Sequence, residues 1–151
     1  VQDDRFAPPG EAIVGTSNYG TMNFQNNSEH ILIIPSHATY VVKEDAQNHG
    51  MAHVGILKKE SIKNYNTAMC VQQGQGGMIN KGQHRLGILP FSLRESALNK
   101  RGVTSYNKLW DDISAFNNKF GLSQAGHLEY FLEQFEKELN QFVAEFECVP
   151  H

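Results

Sequence analysis

The chain has 151 residues, 40% of them apolar and 19% charged, with a net charge of −3. That length supports one globular domain burying roughly two thirds of its unfolded surface, and the composition is that of a globular protein, for which disorder is not the default. No apolar run approaches the roughly 18 residues that cross a bilayer, Val1-Gln2-Asp3-Asp4-Arg5 does not open a signal peptide, and no basic stripe suits a phosphate backbone. The expectation is therefore a protein with no membrane or nucleic-acid partner, cytoplasmic or held within a virion or other assembly. A first residue other than Met points to processing or to a piece trimmed from a longer chain.

Charge divides unevenly. Residues 1–90 hold seven acids and seven bases, whereas residues 123–148 hold six Glu against Lys137 alone. Residues 1–22 read as an extended N-terminal segment, because Pro8-Pro9-Gly10 forces a turn or a polyproline stretch. Pro8 and Pro9 are thus candidates to wrap a neighbouring molecule. Residues 23–90 read as a β-rich core. Strands are expected over 21–24, 30–34 and 39–43, the last two as a hairpin through Pro35-Ser36. Further strands are expected over 51–57, with Gly55 marking a bulge, and over 67–71, with a polar connection across 58–64. From Gln72 to Gly87 five glycines predict a loop or a ragged hairpin.

Residues 91–151 read as the helical part of the same domain. Ser92 caps a short helix, Thr104 or Ser105 a second, and Gly121 stops that second helix. From Ser123 onward, Leu128, Phe131, Leu132, Phe135, Leu139, Phe142, Val143 and Phe146 form one apolar stripe. They predict a single amphipathic helix of about six turns. Its free end, at Phe142 and Phe146, is a candidate interface. The fold class expected is α+β: an antiparallel β-rich N-terminal part, as a sandwich or partly open barrel, with two to three C-terminal α-helices packed on it.

Chemistry finds little support in the residues. His49 and His53 lie four apart, but on a strand that spacing separates them by about 13 Å, so they make a weak metal pair. Gln73-Gly74-Gln75-Gly76-Gly77 lacks the Lys and Ser/Thr of a phosphate-binding loop. Cys70 sits inside an apolar run, where burial quiets a thiol. Ser36-His37 and Ser28-Glu29-His30 carry nucleophile-and-base residue types, yet strand neighbours point to opposite faces. Asp111-Asp112 cannot both face one site. No catalytic residue, cofactor or metal is assigned.

Several short motifs in fixed order resemble a known family: Gln47-Asn48 before a strand, Cys70-Val71-Gln72-Gln73-Gly74 ending one, then Leu93-Arg94 and Leu109-Trp110-Asp111 on helices. With Val149-Pro150 after the last helix, residues 23–151 look like the bacterial domain associated with ADP-ribosylglycohydrolases and rhodanese-phosphatases. The resemblance implies a β-rich core with appended helices, in proteins suspected of roles around NAD or nucleotide-linked conflict systems, and no settled reaction. A ligand would use the face of Gln47, Asn48, His49, Gln72, Gln73, Gly74, Gly76 and Gly77. Relatives place charged groups where this chain has Ala46, His49 and Gln72, which removes the means for acid–base work. The leading expectation is a non-enzymatic binding or assembly domain, a homo-oligomer or the partner of another protein. The alternatives are an enzyme or sensor for a nucleotide or ADP-ribose-like ligand in a bacterial or phage conflict system, and a structural component of a particle or filament.

Overall fold

The computed structural model describes residues 2–3, 12–15, 19–42, 48–73, 84–122 and 125–145. In chain order the strands are β1 (Gln2–Asp3), β2 (Ala12–Gly15), β3 (Met22–Asn26), β4 (Leu32–Ile34) and β5 (Ala38–Val42). They continue with β6 (His49–Gly50), β7 (Gly55–Leu57), β8 (Ser61–Tyr65), β9 (Met69–Cys70) and β10 (His84–Ile88). Four helices follow: α1 (Phe91–Asn99), α2 (Trp110–Lys119), α3 (Leu128–Gln134) and α4 (Glu136–Ala144). The α+β class holds, with four helices where two to three were expected. No sheet closes into a barrel among the described residues.

Among the described residues every strand pairing is antiparallel. One sheet runs β1-β2-β3-β8, a second runs β10-β5-β6-β9, and β4 pairs with β7 alone. Strand β3 shows why it forms: Met22, Phe24 and Asn26 are buried and the residues between them are not, the period of a half-covered strand. Two apolar cores flank the second sheet, and successive residues of one strand region serve each in turn. Ala68 joins Met22, Phe24, Ile34 and Leu57, whereas Met69 joins Leu89, Leu93, Ile113 and Leu128 from the helical side.

Several local expectations are corrected. Residues 30–34 and 39–43 do not form a hairpin: Ile33 lies across from Ile56, and Thr39 lies across from Gly87 and Gly50. His37, at φ 66° in the turn after Pro35, redirects the chain into a different sheet. Of the strand expected over 51–57 only β7 forms, and a bend at Ala52 and His53 separates it from β6. Gly55 there allows close approach rather than a bulge, since a Cβ would stand 3.0 Å from the Tyr65 hydroxyl and 3.2 Å from Ile34 Cβ. Most of the polar connection expected over 58–64 is β8, whose central residues Ile62, Lys63 and Asn64 are exposed and show no apolar alternation.

Helix α1 begins at Phe91 behind Pro90, not behind Ser92. Helix α2 begins at Trp110, later than a Thr104 or Ser105 cap would place it, and Gly121 at φ 70° follows its end as expected. The six-turn helix is two helices, broken at Phe135 (φ −108°, ψ 21°). Its first half behaves as core. The Phe116, Phe120, Phe131 and Phe135 rings pack with centroids 4.8–5.5 Å apart. Farther along, Phe142 is 59% exposed.

Candidate functional site

Four of the proposed ligand residues fall within the described structure, and the fold brings them together. Asn48, just before β6, and Gln72, just after β9, are both buried, and the Asn48 side-chain amide donates to Gln72 Oε1. Their backbones are joined as well, Val71 N–H donating to the Asn48 carbonyl at 2.8 Å. His49 is 1% exposed and lies across from Tyr40 on one side and Cys70 on the other. Its Nε2 accepts the Gly20 N–H at 3.0 Å, which fixes it as the acceptor nitrogen. Gly20 holds φ 75°, and a Cβ there would stand 3.0 Å from Tyr106 Cβ, so the close approach to His49 depends on glycine.

Gln73 completes the group from the exposed side. Its N–H donates to the Gly126 carbonyl at 2.9 Å and its Oε1 accepts the Gly126 N–H at 3.0 Å. Leu128 N–H donates to the Val71 carbonyl at 2.9 Å, and Gln72 forms a bridge with His127. The segment leading into α3 therefore lies antiparallel to the residues just after β9 and ties the helices to the β part. Cys70 reinforces this seam: its N–H donates to the Tyr106 carbonyl at 2.8 Å, and its Sγ donates to the Gln72 carbonyl at 3.1 Å. Burial pushes the Cys70 thiol up, only partly offset by the Gln72 backbone and the Trp110 indole. A protonated, buried thiol is a poor nucleophile. The arrangement is one of neutral amides, an imidazole and a thiol spent on internal hydrogen bonds.

The other sequence candidates disperse. His53 is exposed while His49 is buried, and no group of three or more His, Cys, Asp or Glu is placed to hold a metal among the described residues. Ser28 Oγ donates to Asn26 Oδ1 and Glu29 pairs with Lys59 at 3.5 Å, so neither joins His30 in a relay. Asp112 pairs with Lys100, and Asp111 faces outward. Gln47, Gly74, Gly76, Gly77, Pro8, Pro9 and Phe146 lie outside the described residues, and Phe142 is on the outer part of α4.

A comparison with protein families matches residues 11–151 to the ARPP-1 domain, the ARG and Rhodanese-Phosphatase-superfamily-associated Protein domain. The chain belongs to that family. Comparison with curated proteins and with solved structures finds no match. Four of the motif positions behind the resemblance serve packing in this ARPP-1 domain: Cys70, Val71 and Leu109 are 0% exposed, and Leu93 is 3% exposed.

No pattern in the sequence marks three further buried polar groups of the ARPP-1 domain. Asn117, on α2, donates through Nδ2 to the Ala125 carbonyl at 3.1 Å and the His127 carbonyl at 2.8 Å. Lys108 donates to the Thr67 and Val103 carbonyls at 3.2 and 2.7 Å, and burial lowers its pKa. Asn26 Nδ2 reaches the His30 and Lys58 carbonyls at 2.8 and 3.0 Å. Each side chain adds a donor to carbonyls in loops and turns between the regular elements. His37 differs. Burial, with the Arg94 charge adding to it, lowers its pKa, and its Nε2 is buried without a hydrogen-bond partner.

Proposed function

We propose that this ARPP-1 domain is a non-enzymatic binding and assembly module, acting through self-association or a protein partner. The observation that carries the reading is an uncovered aliphatic face. Ile31, Ile33, Val54 and Ile56 are 67%, 64%, 54% and 56% exposed on and beside the β4–β7 pair. Scattered exposed apolar residues are ordinary, but a contiguous group is a recognised mark of an interaction site. The buried amide and imidazole seam supports the same reading, because its groups are engaged in joining the two parts of the fold.

Light scattering after size-exclusion chromatography up to high micromolar concentration, with a parallel search for a bound protein, tests the proposal. An oligomer or a stoichiometric complex is expected. A chain that stays monomeric and binds no protein would remove the reading. The nucleotide alternative is tested by thermal shift with NAD, ADP-ribose and cyclic nucleotides. A ligand well above its Kd would raise the melting point by several degrees, on the order of 2–4 °C per kcal/mol of linkage. A shift abolished by Asn48→Ala would put that alternative in place of the binding module.

A further inference from the structure

We infer that the β4–β7 face receives a second copy of this chain, the two aliphatic faces meeting across a two-fold axis; this rests on the binding reading above. The strands themselves point to it. Leu57 and Ile34 are 1% and 3% exposed and pack in the first core, while Ile33 and Ile56 stand directly across from each other on the outer side. Ile31 and Val54 extend that outer side by one alternation each, on the same face as Ile33 and Ile56. Strands apolar on both faces are the pattern of a sheet covered on both faces. Among the described residues only one face is covered.

The area fits a copy rather than a small ligand. The four side chains leave roughly 300 Å² of aliphatic surface in water, at the low end for the largest patch on a monomer. One side of a standard interface holds about 800 Å², of which about 57% is apolar, roughly 450 Å². The patch supplies most of that apolar core, and a polar rim supplies the rest.

Charge selects the partner. At the end of the pair where β4 begins and β7 finishes stand Glu29, Lys58, Lys59 and Glu60, two acids and two bases. Glu29 and Lys59 are 3.5 Å apart with both side chains largely exposed. A balanced rim meets its own copy without net repulsion, and an isologous contact needs such self-complementarity. The apolar side of α4 offers no such match: its exposed charges are Glu136, Lys137, Glu138 and, just beyond, Glu145. Two copies meeting there would bring like charges together.

Complementation by opposite charge tests the inference. Ile56→Glu and Ile56→Lys are prepared separately, with the same pair at Ile33 as an independent set. Because both positions are exposed, the variants are expected to melt within a few degrees of the parent, as exposed substitutions usually do. The parent is expected to be a dimer by light scattering. Each variant alone is expected to dissociate with a Kd at least about thirtyfold weaker, as for a central interface residue. An equimolar mixture of the Glu and Lys variants recovers the dimer, seen as a heterodimer by native mass spectrometry. A monomeric parent overturns the inference, and so do variants that remain dimeric. A parent that is monomeric yet binds a different protein, or a dimer broken by Phe142→Ser but not by the Ile56 changes, sinks this inference while leaving the binding module intact.

Discussion

Gly126→Ala is the sharpest single test of how the helices are held to the β part. A Cβ built at Gly126 would stand 2.8 Å from the Trp110 carbonyl oxygen, 2.9 Å from Trp110 Cα and 3.0 Å from Trp110 Cβ. These obstacles belong to the first residue of α2, so no side-chain rotation relieves them. The segment before α3 must move away from α2, and it carries both bonds between Gln73 and Gly126 as well as Leu128 N–H to Val71. Overpacking of this kind costs about 1–3 kcal/mol, and weakening two or three internal hydrogen bonds without breaking them adds about 1 kcal/mol in all. A loss of about 2–4 kcal/mol is expected, or roughly 5–15 °C in Tm for a domain of this size. Urea unfolding followed by circular dichroism reads it, with Gly102→Ala as control, since a Cβ there meets nothing within 4 Å. The sign is diagnostic. Without the clash, Gly→Ala restricts the unfolded chain and stabilises by about 0.4–1 kcal/mol. A Gly126→Ala protein as stable as its parent, or more so, would refute the packing described at Trp110.

Other outcomes follow from the buried polar groups. Asn117→Ala removes the Nδ2 donor from the Ala125 and His127 carbonyls, which keep the His127 and Tyr130 N–H groups, and is expected to cost about 1–3 kcal/mol, read as a lower urea midpoint at unchanged m. His37 and His127 have lowered folded pKa values, both mainly through burial. The unfolded chain therefore takes up protons first: their contribution to stability is full above about pH 6.5 and is lost as pH falls through the folded values. A flat urea midpoint from neutral pH down to mild acid would contradict this. Tyr40, pushed up to about 12 by burial, acts in the opposite direction. Its contribution is full below about pH 10 and falls by up to about 2–3 kcal/mol as pH rises towards the folded value, giving a steeper alkaline limb than a Tyr40→Phe variant. In a Cys148→Ser background, Cys70 is expected to react with a thiol reagent only at the rate of unfolding; rapid stoichiometric labelling of the native protein would show that the seam is open.

The helical third was the most legible part of the sequence because its periodicity is local. Leu128 and Phe131 announce a core-facing stripe whatever they pack against. The break at Phe135 was hidden, since neither Pro nor Gly marks it. It lets α3 stay with the Phe116–Phe120–Phe131 cluster while α4 departs. Sheet partners were misread for a physical reason: adjacency along the chain suggests hairpins, but Ile33 pairs with Ile56, more than twenty residues away. Strand β8 is not legible because its exposed centre, Ile62, Lys63 and Asn64, resembles a loop; among the described residues it pairs with β3 alone. At the site, Asn48 and Gln72 were visible as polar residues in a motif, whereas their union depends on β6 and β9 lying side by side. Asn117 and Lys108 were invisible because such residue types on helices and turns ordinarily face water.

The division of one core between early and late parts of the chain has a consequence during synthesis. Ala52, Met69 and Val71 come off the ribosome well before Leu109, Ile113 and Leu128, which cover them in the finished fold. At about 5–20 residues per second, the interval from Val71 to Leu128 is roughly 3–11 seconds. For that time the nascent β part presents an apolar surface with nothing yet made to shield it, which marks it as a substrate for holding chaperones and makes slow translation through α1 and α2 a hazard to yield.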